Sequence, residues 1–501
     1  MKKKRSTLLI ILLAIALIAY FLLPSPDKTA KENAPYSSTK TSQTTTPSSH
    51  PSGSATIAIL SVNDMHSAID NMPKFAALAD SLREVYPNLL IFSAGDNRTG
   101  NPINDQYDPV NGPMISLMNA VGFDLSAVGN HEWDGGVAAL QQNIKDADFP
   151  FLCANVNLPS DITLDVKPYT VIENQGVKIA VVSLIEVRAS GIPGAHPKNF
   201  TNISFRQPFD VVADYQYLRE QNDVMIYLTH LGFEEDMELA QKCPYLDEII
   251  GGHSHTFVEQ PQYQDGVLIT QAGSSLRCAT LSLLTVKEGK VVAKEAMNFD
   301  LEHRTKINRD TQAMLDGFNS DTRFREALST AVTPFDTKEE LGCLITDAIR
   351  EVSEADFAFT NTGGIRVNNL KKGPLTIKDV YNIDPFNNEI VVYTMTGRQL
   401  ERYIMESFKK NGRYPSPVSG MSYKVNTDSE RYPKSVNIKL DNGKFSYDAQ
   451  YTVAMNSYVA STVRFESVDD GKDLFMTSEE MMIEYLRNHK KVSYQGVSRV
   501  E

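Results

Sequence analysis

Five apolar runs in this chain each stop at side chains of the type that bind metal ions, and this restricts the fold more than any other feature. They are Ile57-Ala-Ile-Leu-Ser-Val-Asn-Asp64-Met-His66, Leu89-Leu-Ile-Phe-Ser-Ala-Gly-Asp96, Phe123-Asp-Leu-Ser-Ala-Val-Gly-Asn130-His131, Val224-Met-Ile-Tyr-Leu-Thr-His230 and Glu248-Ile-Ile-Gly-Gly-His253-Ser-His255. Short apolar runs bounded by turn residues read as buried strands. A strand that ends in a tight turn holds the next side chains at the rim of its sheet. Five such rims in one stretch of chain predict a single shared site. Nine histidines occur in all, and five of them lie in these runs, which is why they are read together rather than as isolated structural residues.

Between the runs lie amphipathic stretches. In Met72-Pro-Lys-Phe-Ala-Ala-Leu-Ala-Asp-Ser-Leu-Arg-Glu, apolar Phe75, Leu78 and Leu82 recur at helical spacing. Strands alternating with helices predict a layered α/β domain, here over about 55–301. Val177–Ile185 and Leu281–Val286 read as further strands. A polar helical stretch from about Arg309 to Thr330 is expected within a connector, 302–330. A second domain, 331–501, follows, with a helix over Glu339–Glu351.

The N-terminus belongs to neither domain. Lys2-Lys-Lys-Arg5 precedes an apolar run from Leu8 to Leu23, so residues 1–24 read as a membrane anchor or a cleaved signal segment. The basic flank stays inside, which predicts that the body is exported to a periplasmic or cell-surface location. Residues 25–54, rich in Ser, Thr and Pro, read as a flexible tether. The net charge of -13, without basic blocks, argues against binding polymeric nucleic acid. Cys153, Cys243, Cys278 and Cys343 form no CxxC pair, which leaves disulfides and buried free thiols both open.

Asp64-x-His66, Gly95-Asp96, Gly129-Asn130-His131-Glu132, His230 and Gly252-His253-x-His255 resemble the motif set of the calcineurin-like metallophosphoesterases. The resemblance implies a four-layer αββα sandwich. It also implies two divalent ions, one held by Asp64, His66, Asp96 and His255, the other by Asp96, Asn130, His230 and His253. Two cations about 3.5–4 Å apart repel, so a shared carboxylate is needed between them, and Asp96 suits that bridge. Imidazole, carboxylate and amide donors suit zinc, manganese, cobalt or iron. After two aspartates and a bridging hydroxide are counted, the centre stays positive and attracts phosphate. The hydroxide is expected to attack phosphorus in line. The resemblance makes His131 the catalytic residue over the metals and Asp134 the carboxylate that orients it.

Thr360-Asn361-Thr-Gly-Gly-Ile-Arg366, Pro385-Phe-Asn-Asn388 and Met395-Thr-Gly-Arg-Gln-Leu400 resemble the C-terminal α+β substrate-binding domain of the 5'-nucleotidase family. That resemblance, with the first domain, covers roughly 55–460. It implies removal of phosphate from nucleoside 5'-monophosphates, with Arg366, Asn361 and Asn388 touching substrate. Alternatives within reach of the same residues are a cyclic-nucleotide phosphodiesterase or 3'-nucleotidase, a nucleotide-sugar hydrolase, another phosphomonoesterase, or a surface binding protein that kept the fold. The family stacks the base between two aromatic rings. Here Tyr414 and Phe465 are the nearest candidates, and the aspartate that grips the ribose is absent because Ala460–Ser467 replaces its turn. Weakened base selectivity is therefore expected. Tyr458 reads as core packing, and His196, His303 and His489 as structural or surface residues.

Overall fold

The structure, a computed structural model, describes residues 54–500. The anchor or signal segment 1–24 and the tether, apart from Ser54, lie outside the described residues. Among the described residues no helix is long and apolar enough to cross a membrane.

Two sheets face each other in the N-terminal part. The first has seven strands in the order Lys290–Asp300, Cys278–Lys287, Ser54–Val62, Leu90–Ser93, Leu125–Ala127, Phe151–Leu152 and Val166–Lys167. The second has six, in the order Gln262–Gln264, Val267–Thr270, Glu248–Ile250, Val224–His230, Val177–Ile185 and Tyr169–Asn174. Ile57, Ile59, Phe92 and Ala127 of one sheet pack against Ile179, Val181, Ile226 and Leu228 of the other. Each such aliphatic or aromatic chain contributes about 1.5–3 kcal/mol on burial. The outer faces are covered by helices, so central strands such as Leu90–Ser93, Leu125–Ala127, Val224–His230 and Glu248–Ile250 are buried on both sides and read as continuous apolar runs. The helix Met72–Arg83 starts at a proline in its first turn and buries Phe75, Leu78 and Leu82 completely. The helix Phe233–Lys242 buries Leu239 and Ala240 on the second sheet. The result is the αββα sandwich.

The parallel strands set the position of the site. Ser54–Val62, Leu90–Ser93 and Leu125–Ala127 run parallel, as do Val177–Ile185, Val224–His230 and Glu248–Ile250. Their carboxyl ends therefore reach one rim, where open α/β sheets place their ligands.

The polar stretch after the sandwich differs from expectation. Its helix covers Arg309–Phe318 only, capped by Asn308, whose side chain accepts from the N–H groups of Asp310 and Thr311. Gly317 and the Asn319-Ser-Asp321 run, all poor helix formers, end it. Ala327–Ala331 is instead a strand, antiparallel to Gly373–Thr376. Asn308 also ties the helix back to Met72–Arg83 by donating to Asp80.

The C-terminal part is built on a five-stranded sheet in the order Val418–Ser419, Phe357–Phe359, Gln450–Asn456, Glu389–Thr396 and Lys472–Thr477. Helix Lys338–Ser353 packs on one face and helix Gly397–Lys410 on the other. The second helix begins at a capping box between Thr396 and Gln399. All four cysteines are free thiols, three of them buried. That settles the open alternative in favour of free thiols.

Candidate metal centre

The rim turns are short and strained. Asp64, His66, Asp96, His253 and His255 all have positive φ, between 47° and 79°. Non-glycine residues pay for this conformation, and it clusters at functional sites. The turns lock together through the backbone. Asp64 N–H donates to the Gly95 carbonyl at 3.0 Å, and His66 N–H to that of Asp96 at 2.9 Å. His131 N–H donates to the Asp96 carboxylate at 2.8 Å. A Cβ on Gly129 would lie 2.3 Å from Asp96 Oδ1, so only glycine lets the two turns approach this closely.

The side chains then converge. Asp64, His66 and His255 each offer a ligand atom within 4.8 Å of the others, and so do Asp64, Asp96 and His230. His66, Asp96 and His131 form a third such group, so His131 also comes within ligand range. Asn130 Oδ1 lies 3.0 Å from His253 Nδ1 and 3.2 Å from His230 Nε2. His230 Nε2 is 3.1 Å from Asp96 Oδ2, while its Nδ1 faces the Ala94 carbonyl at 2.7 Å. That carbonyl keeps the proton on Nδ1 and turns Nε2 inward.

Among the described residues, Asp64 and Asp96 are buried without a lysine or arginine in salt-bridge range. Burial pushes Asp64 up to about 7, against the pull of His230. Burial also raises Asp96, but His230 and His131 outweigh it and hold it well below the carboxylate range. Burial drives His253 down to about 3, helped by His230, and His255 down to about 4, helped by Arg366. His66 and His255, both favoured as neutral imidazoles, bring their Nε2 atoms to 2.8 Å. Burial lowers His230, but Asp96 and then Asp64 outweigh it and raise it to about 10, so a proton there holds the place a cation would take. A set of inward carboxylates, imidazoles and an amide oxygen fits divalent cations.

Beside the donors, His131 Nδ1 meets Asp134 Oδ2 at 2.6 Å, and Thr99 donates to the same oxygen at 2.7 Å. Burial lowers His131, but Asp134 and then Asp96 outweigh it and raise it. Arg366 reaches in from the C-terminal part, its Nη2 3.1 Å from each ring nitrogen of His66. Phe386 lies beneath its guanidinium at 5.8 Å and beside the His131 ring at 5.7 Å.

A cavity of about 480 Å³ opens here, with Asp96, Asn130, His131, Asn361, Arg366 and Asn388 in its wall. Tyr414 and Phe465 do not line it. Tyr414 is 59% exposed and carries Arg431 over its ring. Phe465 packs edge-on against Tyr393 and Tyr403 in the C-terminal core. The segment begins as the helix Ser457–Thr462, which turns Tyr458 to the cavity and carries Phe465 behind it. Tyr458 is thus a wall residue rather than core packing, and so is His196. Arg188, Lys198 and Lys410 also line the cavity without having been singled out. They sit in a loop, in a short 3-10 helix and at a helix end, where no periodicity marks them. Glu132 was within the Asn-His-Glu motif but had no assigned role. Its buried carboxylate accepts the N–H groups of Asp96, Asn97 and Gly129.

Known proteins match this arrangement. A family model described as calcineurin-like phosphoesterase matches residues 57–257, and one described as 5'-nucleotidase, C-terminal domain, matches 322–465. Protein UshA of Yersinia enterocolitica is 30% identical over 377 residues, covering 63% of this chain and 68% of its own. A 5'-nucleotidase of Vibrio parahaemolyticus is 26% identical over 482 residues, covering 83% and 84%. The fold is similar to the crystal structure of a 5'-nucleotidase precursor from Thermus thermophilus, with a TM-score of 0.77, 21% identity, and coverage of 89% and 99%. Against two longer Bacillus subtilis relatives the chain spans 37% and 35% of their length. Sandwich, donor set and motif order together define a metallophosphoesterase, a metal-dependent hydrolase of phosphoesters. With both parts matched, the chain belongs to the 5'-nucleotidase family.

Proposed function

We propose that the chain removes phosphate from nucleoside 5'-monophosphates at a two-cation centre. In this reading 55–301 carries the metals, 302–330 connects, and 331–501 presents the substrate. The convergence of Asp64, His66, Asp96, Asn130, His230, His253 and His255 on one rim, opposite Arg366, carries the reading. When bound, two divalent ions of the zinc, manganese, cobalt or iron type supply positive charge that polarises the phosphate and acidifies a water.

The protein's own groups do the rest. The Arg366 fork binds two phosphate oxygens at once. His131 presents Nε2 to the leaving oxygen, and Asp134 fixes its other nitrogen and supports its positive charge. Water adds to phosphorus as the ester P–O bond breaks, and the leaving oxygen takes a proton from His131; of the water's two protons one stays on the phosphate formed and the other, passed through solvent, restores His131. Asn361 and Asn388 hydrogen-bond the leaving alcohol. Export is part of the proposal and rests on the Lys2–Arg5 and Leu8–Leu23 sequence alone.

The positions of Tyr414 and Phe465 favour a second reading, in which another phosphomonoester is the preferred substrate. The test is turnover of AMP, UMP and sugar phosphates by the purified chain with each metal added in turn. Hydrolysis of AMP and UMP supports the first reading. Their resistance, with a sugar phosphate turned over, replaces it with the second.

A further inference from the structure

Besides Arg366, three basic side chains line the cavity, and Arg188 among them lies near enough to His253 to favour its neutral form. Arg188 comes from the loop after strand Val177–Ile185, Lys198 from the short 3-10 helix Pro197–Phe200, and Lys410 from the end of helix Gly397–Lys410. Among the described residues, the carboxylates in the lining are Asp96 and Asp134, both on the catalytic side. Among the described residues neither Lys198 nor Lys410 has a carboxylate within salt-bridge range, whereas neighbouring Lys409 is neutralised by Glu406 at 2.6 Å. Arg188 is only loosely paired, its Nε 3.7 Å from Glu186, while its Nη1 donates to the Tyr458 hydroxyl at 3.2 Å. In the same wall, His196 Nε2 is buried with no hydrogen-bond partner. Of the two carbocyclic rings in the lining, Phe386 lies beside His131 and Arg366, and the Tyr458 hydroxyl accepts from Arg188.

A leaving group that enters this space thus meets Lys198 and Lys410 without a compensating carboxylate and Arg188 only loosely compensated. We infer that the site selects phosphate monoesters whose alcohol portion carries a second anionic group, a carboxylate or another phosphate. This rests on the phosphohydrolase reading above and takes the second of its two substrate classes, since the alcohol portion of a nucleoside 5'-monophosphate carries no second anion. The phosphoryl group lies toward Asp96 and Arg366, and the second anion lies toward Arg188, Lys198 and Lys410. The cavity volume, about 480 Å³, accommodates a phosphorylated sugar acid. Charge of one sign in a recessed wall concentrates ligands of the other sign, and salt weakens it.

Matched esters test the inference with the metal-loaded full chain. The pairs are 3-phosphoglycerate with glycerol 3-phosphate, and 6-phosphogluconate with glucose 6-phosphate. The acidic member of each pair is expected to show a kcat/KM higher by on the order of 10-fold, mostly through KM, and the ratio should shrink as salt is raised. The exposed pair Lys198→Ala/Lys410→Ala should bring the ratio toward unity, and Lys198→Glu/Lys410→Glu should invert it. Circular dichroism checks that these variants stay folded. A ratio at or below unity in the unaltered chain overturns the inference while leaving the phosphohydrolase reading standing. A ratio that is high but insensitive to both double variants also overturns it. Failure to hydrolyse any ester, nucleotides included, with every metal tried overturns the phosphohydrolase reading itself.

Discussion

Glu132 lies behind Asp96 and accepts its backbone N–H at 2.9 Å. The same carboxylate takes Asn97 N–H at 2.7 Å and Gly129 N–H at 2.6 Å, so one buried side chain pins two donor-bearing turns. Glu132→Gln replaces one acceptor oxygen with a donor and leaves a buried N–H unpaired. A loss of about 1–3 kcal/mol of stability is expected. Metal affinity should fall with it. Urea unfolding and metal analysis of the purified variant check both, and unchanged metal content would show that Glu132 does not position Asp96.

Gly129→Ala should be more damaging to the centre than to the fold. Its Cβ would stand 2.6 Å from Asp96 N as well as 2.3 Å from Oδ1, and backbone must move to relieve this. Asp96 would be displaced from His230. Metal titration monitored by calorimetry should show one cation lost or both weakened by tenfold or more. Turnover at saturating metal should remain low.

His131→Ala should lower kcat by roughly 10²–10⁴-fold with metal content retained. Asp134→Asn should cost less, since the ring stays but its Nδ1 partner is no longer charged. Metal analysis alongside steady-state kinetics separates the roles. Loss of metal in His131→Ala would make this histidine a ligand, in line with its place near His66 and Asp96.

A carboxylate far from the centre contributes to acid stability. Asp347 is gripped by Arg499 through contacts of 2.7 and 2.9 Å and by the Ser419 hydroxyl. Burial raises its carboxyl, but Arg499 and Ser419 outweigh it and hold it below the usual value. A carboxyl depressed in the folded state gives stability that is complete above its unfolded pKa. That stability is lost as pH falls through the folded one. Asp347→Asn should therefore flatten the urea midpoint between about pH 5 and 2. An unchanged slope across that range would assign the acid sensitivity to other groups.

The rim was readable because each donor stands within a few residues of a strand end. Apolar run, turn and polar side chain are all local, and parallel pairing brings them together. The helix Met72–Arg83 was equally local, and the apolar spacing of Phe75, Leu78 and Leu82 marked it. The cavity wall was not local. Arg188 and His196 occupy a loop without period, Lys198 a 3-10 helix too short to show one, and their neighbours Tyr458 and Lys410 arrive from distant sequence. Phe465 was misplaced for a similar reason. A ring in a candidate loop looks available until the core formed by Tyr393 and Tyr403 claims it.

The positive φ values at Asp64, His66, Asp96, His253 and His255 bear on how such a centre can change over time. Aspartate, asparagine and histidine enter the left-handed region more readily than other side chains, and branched ones scarcely at all. Exchange among those three types alters the charge offered to a cation while keeping the loop geometry. Replacement by valine or isoleucine breaks the loop itself. The backbone therefore filters substitutions before chemistry does, and it channels drift at this rim toward altered metal preference rather than loss of the pocket.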